Sequence, residues 1–144
     1  MNISQAFAIP ASGLDAQRER LNIISSNLAN VDSTQTPEGG PYRRRDVVFT
    51  TSPAQGSFAT ALAQENSSLK QVKVSQIVYD QRPFKEVFEP SHPDANAEGY
   101  VRYPNVNAME EMVNMISALR SYEANVTMLN SVKSMALKAL EIGR

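Results

Sequence analysis

The feature that most constrains this chain is its C-terminal run, residues 108–141, which contains neither proline nor glycine. Met112, Met115, Leu119, Tyr122, Val126, Leu129, Ala136 and Leu140 recur there in steps of three and four, with Lys133 the one break. That spacing writes an apolar stripe along one face of a helix. Asn107 followed by Glu110 reads as a capping box, the Asn oxygen taking an orphan N–H and the Glu reaching back. A helix of this length, rising about 1.5 Å per residue, is about 50 Å long. No short partner helix covers such a stripe.

A second stripe stands at the other end. Over residues 12–31, Leu14, Leu21 and Leu28 fall at every seventh position, and Ile24 and Val31 fill the alternate places of an a/d seam. Phe7 extends the leucine register backwards, but Pro10 and Gly13 lie between. Proline cannot donate to the preceding turn, so a kink or a fresh helix start is expected at Pro10. The intramolecular solution for both stripes is an antiparallel pair between the chain ends. Two helices bury only one seam each, so helices from other subunits are the natural completion, which points to an oligomer.

Between the helices the texture changes. Residues 32–42 are rich in Pro, Gly, Ser and Thr and read as a loop. Residues 50–68 hold too little apolar surface to fold alone and are expected to be mobile or ordered by a partner. Lys70–Tyr79, with Val72, Val74, Ile77 and Val78, reads as a strand, and 84–89 and 98–103 as two shorter ones. The fold class is therefore mainly α with a small β element: N- and C-terminal helices paired as an antiparallel coiled coil, short strands and loops between them. The chain divides into 1–31, 32–106 and 107–144.

Chemistry is scarce. The chain has no Cys and one His, His92, set in a turn between Ser91 and Pro93. Thiolate chemistry, disulfides and multi-His zinc sites are excluded. Asp94-Ala95-Asn96-Ala97-Glu98-Gly99 imitates half of an EF-hand loop, but position twelve falls on Asn105 and the flanks are not helical. It reads as a chance match in a polar turn. Glu110 and Glu111 are consecutive, so on a helix they diverge, and they suit the positive end of the helix dipole. No phosphate loop or nucleophile motif is present.

The formal net charge of −1 argues against nucleic-acid binding and against direct lipid attachment. Arg43-Arg44-Arg45 is the one basic run. It could grip phosphate, but in a nearly neutral chain it reads better as pairing with carboxylates on a neighbour. No cleavable secretory signal is visible over residues 1–10. Composition therefore leaves an interaction protein without catalytic residues or cofactor. A soluble helical adaptor or export chaperone would satisfy the same features.

Ser25-Ser26-Asn27-Leu28-Ala29-Asn30 resists a bland account, because small polar groups are mediocre helix formers and suit close packing instead. Ser12-Gly13-Leu14, Gln17-Arg18, Asn27, Ala29, Asn30 and Thr34 together resemble the N-terminal signature of flagellar rod, hook and hook-associated proteins. Thr36-Pro37-Glu38-Gly39-Gly40-Pro41-Tyr42, Pro90-Ser91-His92-Pro93-Asp94-Ala95 and Glu110-Glu111-Met112-Val113 are similar to the proximal rod members of that family. So are Ala124-Asn125-Val126 and Lys133-Ser134-Met135.

The resemblance implies a structural subunit that self-assembles into a helical axial tube transmitting torque from motor to hook. It implies export by the flagellar type III apparatus without a cleaved signal, into a rod crossing the periplasm. The implied partners are copies of itself, other proximal and distal rod proteins, the adaptor to the membrane ring and the export apparatus. The seam residues would be Leu14, Leu21, Ile24, Leu28, Met112, Leu119, Tyr122, Val126 and Leu129. A charge at Leu129 is expected to abolish assembly.

Overall fold

A computed structural model describes residues 3–53 and 70–142. Helix α1 spans Ile3–Ala29 and helix α2 Ala108–Ile142. Strands β1 (Arg45–Pro53), β2 (Lys70–Tyr79), β3 (Lys85–Phe88) and β4 (Tyr100–Tyr103) form two antiparallel two-stranded sheets, β1–β2 and β3–β4. The molecule is thus mainly α with a small β element. No described helix is long and apolar enough to cross a membrane.

Pro10 does not break α1, which runs through it as one helix, so of the expected kink or fresh start the fresh start is overturned. A proline inside a helix costs about 3 kcal/mol relative to alanine. Here its ring is fully buried, and that packing offsets the lost hydrogen bond. The helix ends at Ala29, two residues short of Val31, where the side-chain amide of Asn30 donates to Ser26 O at 2.8 Å.

At the start of α2, Asn107 Oδ1 accepts from the N–H groups of Met109 (3.0 Å) and Glu110 (3.4 Å), as a cap should. Glu110 does not complete the box. Its Oε2 instead accepts from Arg82 Nη1 at 3.1 Å, a charge-assisted bond that outcompetes the neutral backbone N–H.

The β1 strand falls where the sequence reading placed no element. Val47-Val48-Phe49-Thr50-Thr51 is a β-branched and aromatic run, and it pairs with β2 from Arg45↔Tyr79 to Pro53↔Lys70. Thr50, Thr51 and Ser52 of the expected polar stretch therefore belong to a strand, and residues 54–68 lie outside the described ones. A register shift between Val48 and Phe49 bulges the β2 side. Val72 N–H donates to Ser12 Oγ at 3.2 Å, fastening the hairpin to α1. An isolated hairpin is marginal in water, and contact with α1 supplies what this one lacks.

Strands β3 and β4 lie within the two short segments expected and pair with each other, Lys85↔Tyr103 to Phe88↔Tyr100. Their connection turns at Gly99, where φ is +83° and a Cβ would come 2.9 Å from the Phe88 ring. The loop is closed by its own backbone, with Asn96 Oδ1 accepting from Glu98 and Tyr100 N–H groups. The half EF-hand is thus a β-turn whose Asn96 oxygen is already committed. His92 lies edge-on to Tyr103 and accepts from Asp94 N–H at 3.1 Å.

The two helices pack on each other, with Asn27 meeting Glu111 and Gly13 facing the Asn125 side chain. A Cβ at Gly13 would lie 2.9 Å from that amide, so the glycine sets how closely the helices approach. The contact face of α2 is turned from the apolar stripe. Glu111, Ala118 and Val132 are buried on it, with Met115, Tyr122, Asn125, Leu129 and Ala136 half-buried. Met112, Leu119, Val126 and Leu140, half of the expected stripe, are exposed. On α1, Ala16, Ile23 and Ile24 are buried, and Leu14, Leu21 and Leu28 sit half-buried at the edge.

Candidate functional site

With so few apolar side chains buried, the joint between helices and sheets is made by a polar knot. Asn27, at the end of α1, is fully buried and makes four hydrogen bonds. Its Nδ2 donates to Arg45 O at 2.8 Å and to Glu111 Oε2 at 2.9 Å, while Oδ1 accepts from Tyr42 Oη and Arg45 N–H, each at 3.0 Å. That uses the whole capacity of an amide.

Glu111, in the first turn of α2, is also fully buried. Its other oxygen accepts from Arg44 Nε at 2.8 Å. Arg44 Nη1 reaches Asp46 at 3.0 Å and Asp80 at 3.5 Å, and Arg44 N–H donates to Asn105 Oδ1 at 2.8 Å. Asn105 in turn donates to Asp80 O and Arg82 O. One cluster thereby ties α1, the loop after it, the β1–β2 hairpin and the start of α2.

The electrostatics follow from burial and pairing. Burial works against the Arg44 charge, but hydrogen bonds to Asp46 and Glu111 outweigh it and hold the guanidinium above its ordinary value. For Asp80, burial pushes up, but bonds from the Arg82 backbone and side chain, with the Arg44 charge, bring the carboxyl below the usual 3.8. A carboxyl lowered in the folded state stabilises it fully above the unfolded value, and that contribution disappears as pH falls through the folded one. Below about pH 4 the wild-type melting temperature should therefore fall more steeply than that of Asp80→Asn. Thermal melts from pH 6 to pH 2 check this, and parallel curves would contradict it.

The arginine triplet bonds within the chain, but only Arg44 does so to carboxylates. Arg44 takes Glu111, Asp46 and Asp80. Arg45 reaches Tyr42 Oη at 3.1 Å and Ser26 Oγ at 2.7 Å, and Arg43 donates to Asp80 O at 2.9 Å. The expectation that the triplet pairs with a neighbour's carboxylates is thus corrected for Arg44, whose acids are all its own.

Of the motif residues, Asn27 is the centre of the knot. Ala29 is exposed, Asn30 closes the helix end and accepts from Ser33 Oγ, and Thr34 Oγ1 donates to Asp94 Oδ2 at 2.7 Å. Asn27 and Glu111 also sit in segments with known relatives. Residues 9–35 match the family described as flagella basal body rod protein, and residues 97–142 match the flagellar basal body rod FlgEFG protein C-terminal family.

Over its whole length the chain is 46% identical to a flagellar basal-body rod protein FlgC of Escherichia coli, which it covers completely. It is 45% identical to the FlgC of Bacillus subtilis, again over all of both chains. To that of Borreliella burgdorferi it is 43% identical over 99% of this chain and 98% of the other. The chain belongs to the FlgC family of flagellar basal-body rod proteins. It is accordingly a structural subunit of the basal-body rod, and the saturated knot suits that work. The adaptor or chaperone alternative is not favoured.

The sequence reading singled out Asn27 but missed its partners Tyr42, Arg45 and Glu111, and missed Arg44 and Asn105 behind them. The available signal was a tyrosine beside an arginine run and an acid pair at a helix start, which charge complementarity could have joined.

Proposed function

We propose that the chain self-assembles with other rod subunits into a helical axial tube that transmits torque from motor to hook, without catalysing a reaction. Residues 1–31 and 107–144 form the inner layer as an antiparallel coiled coil, and 32–106 lie outside it. The Asn27–Glu111 bond and the Gly13–Asn125 approach support this pairing, because a step towards the start of α1 matches a step towards the end of α2. The partners are copies of the chain, other proximal and distal rod proteins, and the adaptor to the membrane ring. Export proceeds through the type III apparatus, without a cleaved signal, into a rod crossing the periplasm.

The observation that carries the reading is the apolar face of α2 that the other described residues leave uncovered. Met109, Met112, Val113, Ile116 and Leu119 are all exposed over the first turns of the helix. A large contiguous apolar patch on a water-facing helix marks an interaction surface. Arg44, paired with Glu111, keeps the knot rigid while that face is free, so the load-transmitting joint precedes assembly.

Hydrogen exchange on the free chain and on purified basal bodies tests this. Amides of α2 beyond Asn125 should exchange readily in the free chain and be strongly protected in the basal body. A stable free chain with α2 protected throughout would favour the adaptor.

A further inference from the structure

Beside the knot lies a cavity of about 560 Å³ whose wall carries Arg43, Arg45 and Arg102, with Tyr42, Tyr79 and Phe84. Its size falls within the about 300–1,000 Å³ of ligand pockets. Gly39 and Gly40, with φ of +93° and +78°, make the tight turn at its mouth.

The charge here is one-sided. Arg44 and Arg82 absorb Asp46, Asp80, Glu110 and Glu111. None of the three pocket arginines has a carboxylate within ion-pair distance among the described residues. Among the described residues, the Arg43 and Arg45 side chains bond only to neutral oxygens. The Arg102 guanidinium lies over the face of Phe84, 4.9 Å from its centroid, and that of Arg43 over the same ring at 4.3 Å. Glu38 is the one acid in the wall, and Glu86 faces Arg102 across the β3–β4 ladder, yet neither makes an ion pair.

Two guanidinium groups held against one ring repel each other, and an anion that reaches both would relieve that repulsion. A guanidinium stacked on an aromatic face keeps its edge donors free, and that edge matches a carboxylate with two parallel bonds. The chain's net charge of −1 provides no wide basic field to follow a nucleic-acid backbone.

We propose that this pocket docks an acidic segment of a neighbouring rod subunit, with Asp or Glu side chains gripped by Arg43 and Arg102 beside the Phe84 ring. This rests on the rod reading for the identity of the partner, though not for the chemistry of the pocket.

Two measurements test it. On the purified chain, a fluorescein-labelled hexaglutamate peptide should bind at low salt, and Arg102→Gln should weaken it about tenfold. Arg102 is exposed and its side chain makes no hydrogen bond among the described residues, so the variant should keep its circular dichroism melt. Equal binding by wild type and variant, or binding of inorganic pyrophosphate with none of the peptide, would overturn the proposal. In purified basal bodies carrying Arg102→Lys, carbodiimide should couple position 102 to an Asp or Glu of another subunit. Coupling only to this chain's Glu38 or Glu86 would overturn it too. If the chain is absent from basal bodies, the rod assignment of the partner falls, and the peptide measurement still decides the pocket chemistry.

Discussion

Glu111→Ala should be the most damaging single substitution in the free subunit, lowering its stability by about 3 to 5 kcal/mol. Glu111 is completely buried, and its two oxygens serve Arg44 and Asn27. Its loss leaves a largely buried guanidinium with Asp46 and the more distant Asp80 as remaining carboxylates. It also leaves Asn27 Nδ2 with one acceptor instead of two. Small domains carry only about 5–15 kcal/mol of stability, so the urea midpoint at pH 7 should drop by a large fraction or the chain should fail to fold. Glu111→Gln should be milder, because it keeps the shape and one acceptor oxygen while it loses the charge. Because Asn27 and Glu111 touch, Asn27→Ala combined with Glu111→Ala should cost less than the two single changes added together. Additive losses would mean that the knot does not act as a unit.

Leu119→Asp should do the opposite, sparing the subunit and abolishing incorporation into the rod. Leu119 is 45% exposed in the free chain, so an aspartate there remains solvated. Substitutions at such sites normally stay within about 0.5 kcal/mol of wild type. The proposed assembly covers that face with a neighbour, and an unpaired carboxylate would then be buried at a penalty of several kcal/mol. The expected result is an unchanged circular dichroism melt with no variant chain in purified basal bodies. Leu129→Asp is a less clean choice, because Leu129 is already half-buried within the subunit and its loss would mix folding with assembly. Normal incorporation of Leu119→Asp would remove this face of α2 from the interface.

The two helices were legible because nothing interrupts α2 and because its cap, Asn107, is a residue type with a local mechanism. The rotation of the α1–α2 contact was not. Apolar spacing records the sum of every surface that is eventually buried, within the chain and between chains. It drew one stripe through Met112, Leu119 and Val126 and through Met115, Tyr122, Leu129 and Ala136, of which the subunit's own contact half-buries the second set beside Glu111, Ala118 and Asn125. A carboxylate and an amide are invisible to a hydrophobic pattern until their partners are known.

The partner of Glu111 is Asn27, 84 residues earlier, and no local rule spans that distance. β1 escaped notice because its strand-forming run follows directly on three arginines, whose charge suggested a loop. Pro10 misled for a different reason: propensity weighs the lost hydrogen bond and cannot weigh a buried ring. The motif around Asn27 pointed to the right helix end, and its resemblance to rod proteins carried the function that periodicity alone left open.

The most direct measurement of the central claim is quantitative mass spectrometry on intact hook–basal bodies purified from the source cell. A structural rod subunit should be present at a fixed ratio to the other rod proteins, in every preparation. Absence from the basal bodies, with the chain recovered as a soluble free protein, would contradict it.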